Sequence, residues 1–161
     1  MYSYRQYSNH PHLVAERMFA RALMRGRLRA FMGKMLGQSH RLLSLSDYVE
    51  HVSVTARFSE GRRTVRLSAI RGTLSRVDQF DDEFYPLVSA TRSRWISVAT
   101  GMLQDMTTIP PLELIRVGEI YFVDDGHHRV SVALRLGYIY FDADVTVWEV
   151  AQADLDRIEN N

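Results

Sequence analysis

The chain has 161 residues, 46% of them hydrophobic and 24% charged, a formal net charge of +1 and no cysteine. That length suits one domain with a sizeable core, or a small domain with an appendage. The absence of cysteine excludes disulfides, thiolate metal sites and cysteine-based reactions; no apolar run is long enough to span a bilayer, and no signal-peptide core follows Met1, so a cytoplasmic protein is expected.

The small net charge conceals an asymmetry. Residues 1–71 hold 13 Lys and Arg against 4 Asp and Glu, whereas residues 72–161 hold 7 against 15. Either the two halves compensate each other, or the basic half faces an anionic partner.

Residues 1–11 read as a loose arm. From His12 to Leu36 the spacing predicts a helix. Leu13, Ala20, Met24, Leu28, Phe31 and Met35 form an apolar stripe suited to the core. Arg17, Arg21, Arg25 and Arg29 form a basic stripe beside it. Gly26 and Gly33 are expected to bend or divide this helix. Such a helix suits three roles: docking on the core with solvated arginines, contact with DNA or another anionic surface, or packing on a second copy of the chain.

After a break at 37–40, Ser46 or Asp47 is expected to cap a short helix through His51. Residues 57–63 read as a loop. The boundary between a basic helical extension (1–60) and a core domain (61–161) is placed there. Thr64 to Ile70 alternates apolar and polar side chains and predicts a strand, with Arg71-Gly72-Thr73 turning out of it. Asp81-Asp82-Glu83 is placed to open a helix.

A further helix is predicted over 88–106, with Val88, Trp95, Val98, Ala99, Met102 and Met106 near one face, ended by Ile109-Pro110-Pro111. Leu112 to Val117, Gly118-Glu119 and Ile120 to Val123 then read as a hairpin. A helix over 130–136 closes at Gly137. A last strand covers 138–148, and residues 151–159 form a short helix or fray. Trp95, Tyr138, Tyr140, Phe141 and Trp148 read as core. The order is strand, helix, hairpin, helix, strand.

The chemistry concentrates at Asp124-Asp125-Gly126-His127-His128-Arg129, a strand-to-helix turn. Such a turn aims free backbone N–H groups and the positive end of a helix at one point, which suits an anion. Gly126 permits φ > 0 or close approach. His127, His128 and Arg129 supply donors. Asp125 suits a general base, and Asp124 with Asp125 suits Mg²⁺. Arg71 or Arg76 is a second anion contact from a facing loop. Adjacent histidines at a turn point apart and no third ligand has motif spacing, so zinc is not expected. A purely structural turn, with a histidine capping the helix, is the alternative.

Val65 to Ile70, the long helix, Ile109-Pro110-Pro111-Leu112, the hairpin, Asp125-Gly126-His127-His128-Arg129 and Asp144-Val145-Thr146 together resemble the ParB/sulfiredoxin superfamily, over about residues 64–150. They most resemble its stand-alone ParB N-terminal-like domains. The resemblance implies an α/β (α+β) fold: a small mixed sheet with flanking helices, here with a basic helical N-terminal extension. In ParB the turn reads Gly-Glu-Arg-Arg and holds CTP phosphates; Gly126 and Arg129 match it. In sulfiredoxins it reads Gly-Cys-His-Arg and holds ATP phosphates; Gly126, His128 and Arg129 match, but His127 stands at the catalytic cysteine, so sulfinic acid reduction is excluded. In the free-serine kinases of this fold it reads Asp-Gly-His-His-Arg, identical to residues 125–129, with ADP phosphates at the turn and the Asp implicated in catalysis. The resemblance thus implies a nucleotide- or phosphate-binding domain (ADP, ATP or CTP, with Mg²⁺), and phosphotransfer or nucleotide hydrolysis at Asp125. The alternative expectation is a DNA-associated module, non-specific or nuclease-like, that uses Arg17, Arg21, Arg25 and Arg29.

Overall fold

A computed structural model describes residues 10–50, 52–151 and 154. In chain order these form α1 (Pro11–Leu36), β1 (Leu43–Ser44), α2 (Leu45–Val49), β2 (Val54–Arg66), β3 (Ile70–Thr73), α3 (Arg92–Gln104), β4 (Leu112–Val117), β5 (Ile120–Asp125), α4 (His127–Leu136) and β6 (Tyr140–Val150). One mixed sheet carries the strands in the order β1-β3-β5-β4-β6-β2. β3 lies parallel to β1 and β5, and β4 parallel to β6; β4–β5 and β2–β6 are antiparallel. The fold is mixed α/β, as expected.

Strand alternation divides the interior in two, because successive side chains leave opposite faces of a sheet. Leu112, Leu114, Val123, Phe141, Ala143, Val145 and Val147 join the main core with α1, α3 and α4. Ile115, Val117 and Phe122 point the other way and pack with Leu45 of α2. Ser131 of α4 knits the helical side. Its hydroxyl donates to Phe84 O at 2.6 Å and accepts from Trp95 Nε1 at 2.8 Å.

The hairpin forms as its sequence predicts, with Val117 opposite Ile120. Several other expectations are corrected. Residues 57–63 are not a loop but the middle of β2, which pairs with β6 and absorbs Gly61 as an irregularity between Ser59 and Gly61. β2 thus runs unbroken through residues 60–61. The predicted strand 64–70 ends at Arg66; a 3-10 turn follows, and Arg71 to Thr73 are strand rather than turn. Asp81-Asp82-Glu83 opens no helix: the segment folds back on itself, with Phe80 bridging Pro86. Ser44, not Ser46 or Asp47, accepts the capping bond from Asp47 N. Tyr138 and Tyr140 are exposed rather than core, while Trp95 and Phe141 are buried. Of the expected arm over residues 1–11, Pro11 instead opens α1 with His10 as its N-cap, and residues 1–9 lie outside the described residues, as does all of the predicted terminal segment except Ala151 and Asp154.

α1 forms where expected, but with the other face inward. Ala15, Phe19, Ala22, Gly26 and Gly33 are buried, a run of i, i+4, i+7, i+11 and i+18. Met24, Leu28, Phe31 and Met35, the predicted core stripe, are 55–72% exposed. Close approach decides this. A Cβ on Gly26 would lie 2.6 Å from Pro86 O, and one on Gly33 would lie 2.8 Å from Gln38 O. Only the small-residue face admits the backbone opposite. α1 runs undivided through both glycines. Phe19 supplies the bulk, its ring 5.6 Å from that of Trp95. The large apolar residues of the outer face stay exposed.

Candidate functional site

β3 and β5 run side by side in parallel, so the segments leaving their C-terminal ends meet. In sheets of this kind, ligand crevices form at such a place. Here the segments are Thr73–Arg76 and Asp125–Arg129. α3 adds Arg94 from above. Together Arg76, Arg94, Val98 and residues 125–129 line a cleft of about 300 Å³.

α4 begins at His127, three residues earlier than its apolar spacing suggested, with Gly126 as N-cap at φ 111°. A side chain there would be strained, and its Cβ would also meet Leu112 Cδ2 at 2.6 Å. Val130 N donates to Gly126 O at 2.9 Å, the first bond of the helix. The N–H groups of residues 127–129 therefore precede the intrahelical ladder. No side chain caps this end, and its first turn holds no acidic residue.

The two histidines are buried and differ in role. Thr73 Oγ1 accepts from Ser75 N at 3.2 Å and Arg76 N at 3.0 Å, and lies 2.6 Å from His127 Nε2. A hydroxyl has one proton and two lone pairs. With both lone pairs taken, Thr73 donates to Nε2, and His127 is neutral with its proton on Nδ1. His127 also stacks on Phe80. His128 meets Phe80 edge-on, and its Nε2 is buried with no hydrogen-bond partner among the described residues. Burial first, then nearby arginines, push both imidazoles down to about 4. Near neutral pH the positive charge of the cleft belongs to Arg76, Arg94 and the helix terminus, not to the histidines.

Arg129 is occupied internally. It donates to the carbonyls of Pro110 and Pro111 and pairs with Asp125. It thereby fixes the loop before β4 against the turn. Asp125 shares the helical face of β5 with Val123. Asp124 is on the opposite face and does not line the cleft. Among the described residues no three His, Asp or Glu side chains gather as metal ligands.

Of the two arginines expected from the facing loop, Arg76 reaches the cleft and Arg71, on β3, does not. Arg94 was missed: it is one of two arginines opening α3, and only the packing of α3 over α4 brings it there. Arg29 leaves the basic stripe as well. Its guanidinium lies 2.8 Å from each of Asp81, Asp82 and Glu83. Pairs Arg41–Asp78 and Arg62–Asp144 likewise join the basic half to the acidic half. Arg17, Arg21 and Arg25 form no ion pair among the described residues.

No family model and no curated protein matches the chain. Among solved structures it is similar to sulfiredoxin from Arabidopsis thaliana, with 16% identity and a TM-score of 0.41, over 61% of this chain and 96% of that one. The likeness is a loose one of overall fold and says nothing of the residues in the cleft. No helix among the described residues is long and apolar enough to cross a membrane.

Proposed function

We propose that this protein binds the phosphate of a nucleotide or other phosphorylated ligand at the N-terminus of α4. The observation that carries the reading is the convergence of Arg76 and Arg94 on an uncapped helix N-terminus, in a cleft where His128 Nε2 has no partner. The free N–H groups of residues 127–129 and the helix dipole favour negative charge. Two guanidinium groups add charge-assisted donors. The cleft has room for a phosphate group and part of the ligand that bears it.

Asp125 stands at the mouth of this cleft. In this reading it takes the proton of an attacking hydroxyl or water, so phosphotransfer or nucleotide hydrolysis is the reaction class. Alternatively Asp125 holds, with phosphate oxygens, a Mg²⁺ that enters with the nucleotide, since no three His, Asp or Glu side chains gather as metal ligands among the described residues.

The test is a calorimetric titration with ADP, ATP, CTP and inorganic phosphate, with and without Mg²⁺, on wild type and on Arg76→Ala/Arg94→Ala. These two arginines are better probes than His128 and Arg129, which are buried or bonded within the fold. Binding that falls at least about tenfold in the double variant supports the reading. Absence of binding by all four ligands, or equal binding by the variant, rejects it.

A further inference from the structure

A second cleft, of about 400 Å³, lies between α1 and the C-terminal half of α4. Its long wall is α1, where Val14, Arg17, Met18, Arg21, Ala22 and Arg25 follow one helical stripe over three turns. Its opposite wall is Tyr85 with Arg135. Val14, Met18, Ala22 and the Tyr85 ring give it an apolar floor. Four guanidinium groups rim it, and no carboxylate lines it.

Such a rim is costly without an anion. Arg17, Arg21 and Arg25 are spaced i, i+4 and i+8, so like charges sit on consecutive turns. Glu16 pairs with Arg92, and Asp81, Asp82 and Glu83 gather on Arg29; none of these carboxylates lines the cleft. Arg135 is more telling. It stacks on Tyr85, 3.5 Å from the ring centroid, and Nη2 donates to Glu83 O at 3.0 Å. Its Nη1 is buried with no acceptor among the described residues. A buried charged donor without a partner is expensive. Arg25 approaches the same ring, 5.6 Å from its centroid.

We infer that this cleft is a separate binding site for a small soluble amphiphile, an oxyanion such as phosphate or carboxylate joined to an apolar body. The oxyanion sits between Arg25 and Arg135 above Tyr85, where it pairs with their guanidinium groups. The apolar body lies along Val14, Met18 and Ala22. A duplex backbone fits this shape less well. The cleft is recessed, its floor is apolar, and Arg29, the fourth arginine of the stripe, is turned into the fold. The site is at the opposite end of α4 from the turn proposed to bind phosphate and does not depend on it.

The probe is hexyl phosphate, titrated into the isotopically labelled full chain and followed by amide NMR, with inorganic phosphate and a duplex oligonucleotide in parallel. Saturable shifts at Ala22, Tyr85 and Arg135 are expected, with inorganic phosphate at least about tenfold weaker because the floor contributes. Arg21→Gln/Arg25→Gln, both on the surface, should weaken hexyl phosphate at least about tenfold. Arg135→Met, which keeps the stem over Tyr85, should do the same. Arg76→Ala/Arg94→Ala should leave these shifts unchanged while altering any at residues 127–129, so the two sites fail or hold separately. The inference is overturned if hexyl phosphate gives no saturable shift at the three reporters, if Arg21→Gln/Arg25→Gln binds as wild type, or if the duplex shifts the same amides at lower concentration than hexyl phosphate.

Discussion

Thr73 Oγ1 lies 2.6 Å from His127 Nε2, and this contact ties the end of β3 to the first turn of α4. The same hydroxyl accepts from Ser75 N and Arg76 N. One side chain thus shapes the segment that carries Arg76 and fixes the tautomer of a buried imidazole. The two walls of the phosphate cleft are joined by it.

Replacing Thr73 by Val keeps the shape and removes this junction. His127 Nε2 loses its donor and two backbone N–H groups lose their acceptor. A loss of about 2–3 kcal/mol is expected. Thr73→Ser retains the hydroxyl and should lose less than about 1 kcal/mol. Urea denaturation of both variants checks this; equal loss in the two would show that the methyl group matters and the hydroxyl does not.

Acid should destabilise the protein through its histidines. Burial depresses both imidazoles from an ordinary 6.5 to about 4. Between those values the unfolded chain binds protons that the folded chain excludes. Stability is therefore full above about pH 6.5 and falls as the pH drops toward 4. The contribution lost is on the order of 3 kcal/mol at most for each imidazole. Urea midpoints measured from pH 7 to pH 4.5 should decline, and His127→Phe should decline less. A flat profile over that range would contradict the burial argument.

Arg29 should behave as a structural residue. Asp81 is fully buried, its carboxylate accepting from Arg29, Glu83 N and Tyr85 N. Arg29→Ala leaves that charge without its counterion, at a cost of about 3 kcal/mol. Arg21→Ala breaks no pair and should stay within about 0.5 kcal/mol of wild type. Thermal unfolding of the two variants separates the pair from the open stripe.

Gly26→Ala tests the inward face of α1. Helix propensity alone would favour alanine by about 1 kcal/mol. The added Cβ would meet Pro86 O at 2.6 Å and Tyr85 Cβ at 2.9 Å, and backbone cannot give way as a flexible side chain can. A net loss of about 2 kcal/mol is expected. A gain in melting temperature would mean that α1 does not lie this close to Pro86.

Much of the architecture was legible because local patterns carry it. The 112–123 hairpin follows from alternation around Gly118, and the two later helices from their apolar spacing. Gly126 marks the left-handed N-cap position of α4. Those features depend on residues adjacent in the chain. The order of elements from α3 onward and the turn that carries the candidate chemistry are therefore properties of the sequence by itself.

What tertiary structure decided concerns contacts across long separations, where type and spacing are ambiguous. α1 offers two stripes, one of large apolar residues and one of Ala and Gly, and amphipathicity favours the wrong one. Backbone clearance against Pro86 and the pull of Asp81 on Arg29 select the other. The same holds for the cations. Arg29, Arg71, Arg76, Arg94 and Arg129 are indistinguishable as letters. Packing sends Arg29 to the acidic loop, leaves Arg71 on its strand, ties Arg129 to two proline carbonyls, and brings Arg76 and Arg94, 18 positions apart, to one helix N-terminus. Residue type sets what a guanidinium can bind; only the fold sets which oxygen atoms reach it first.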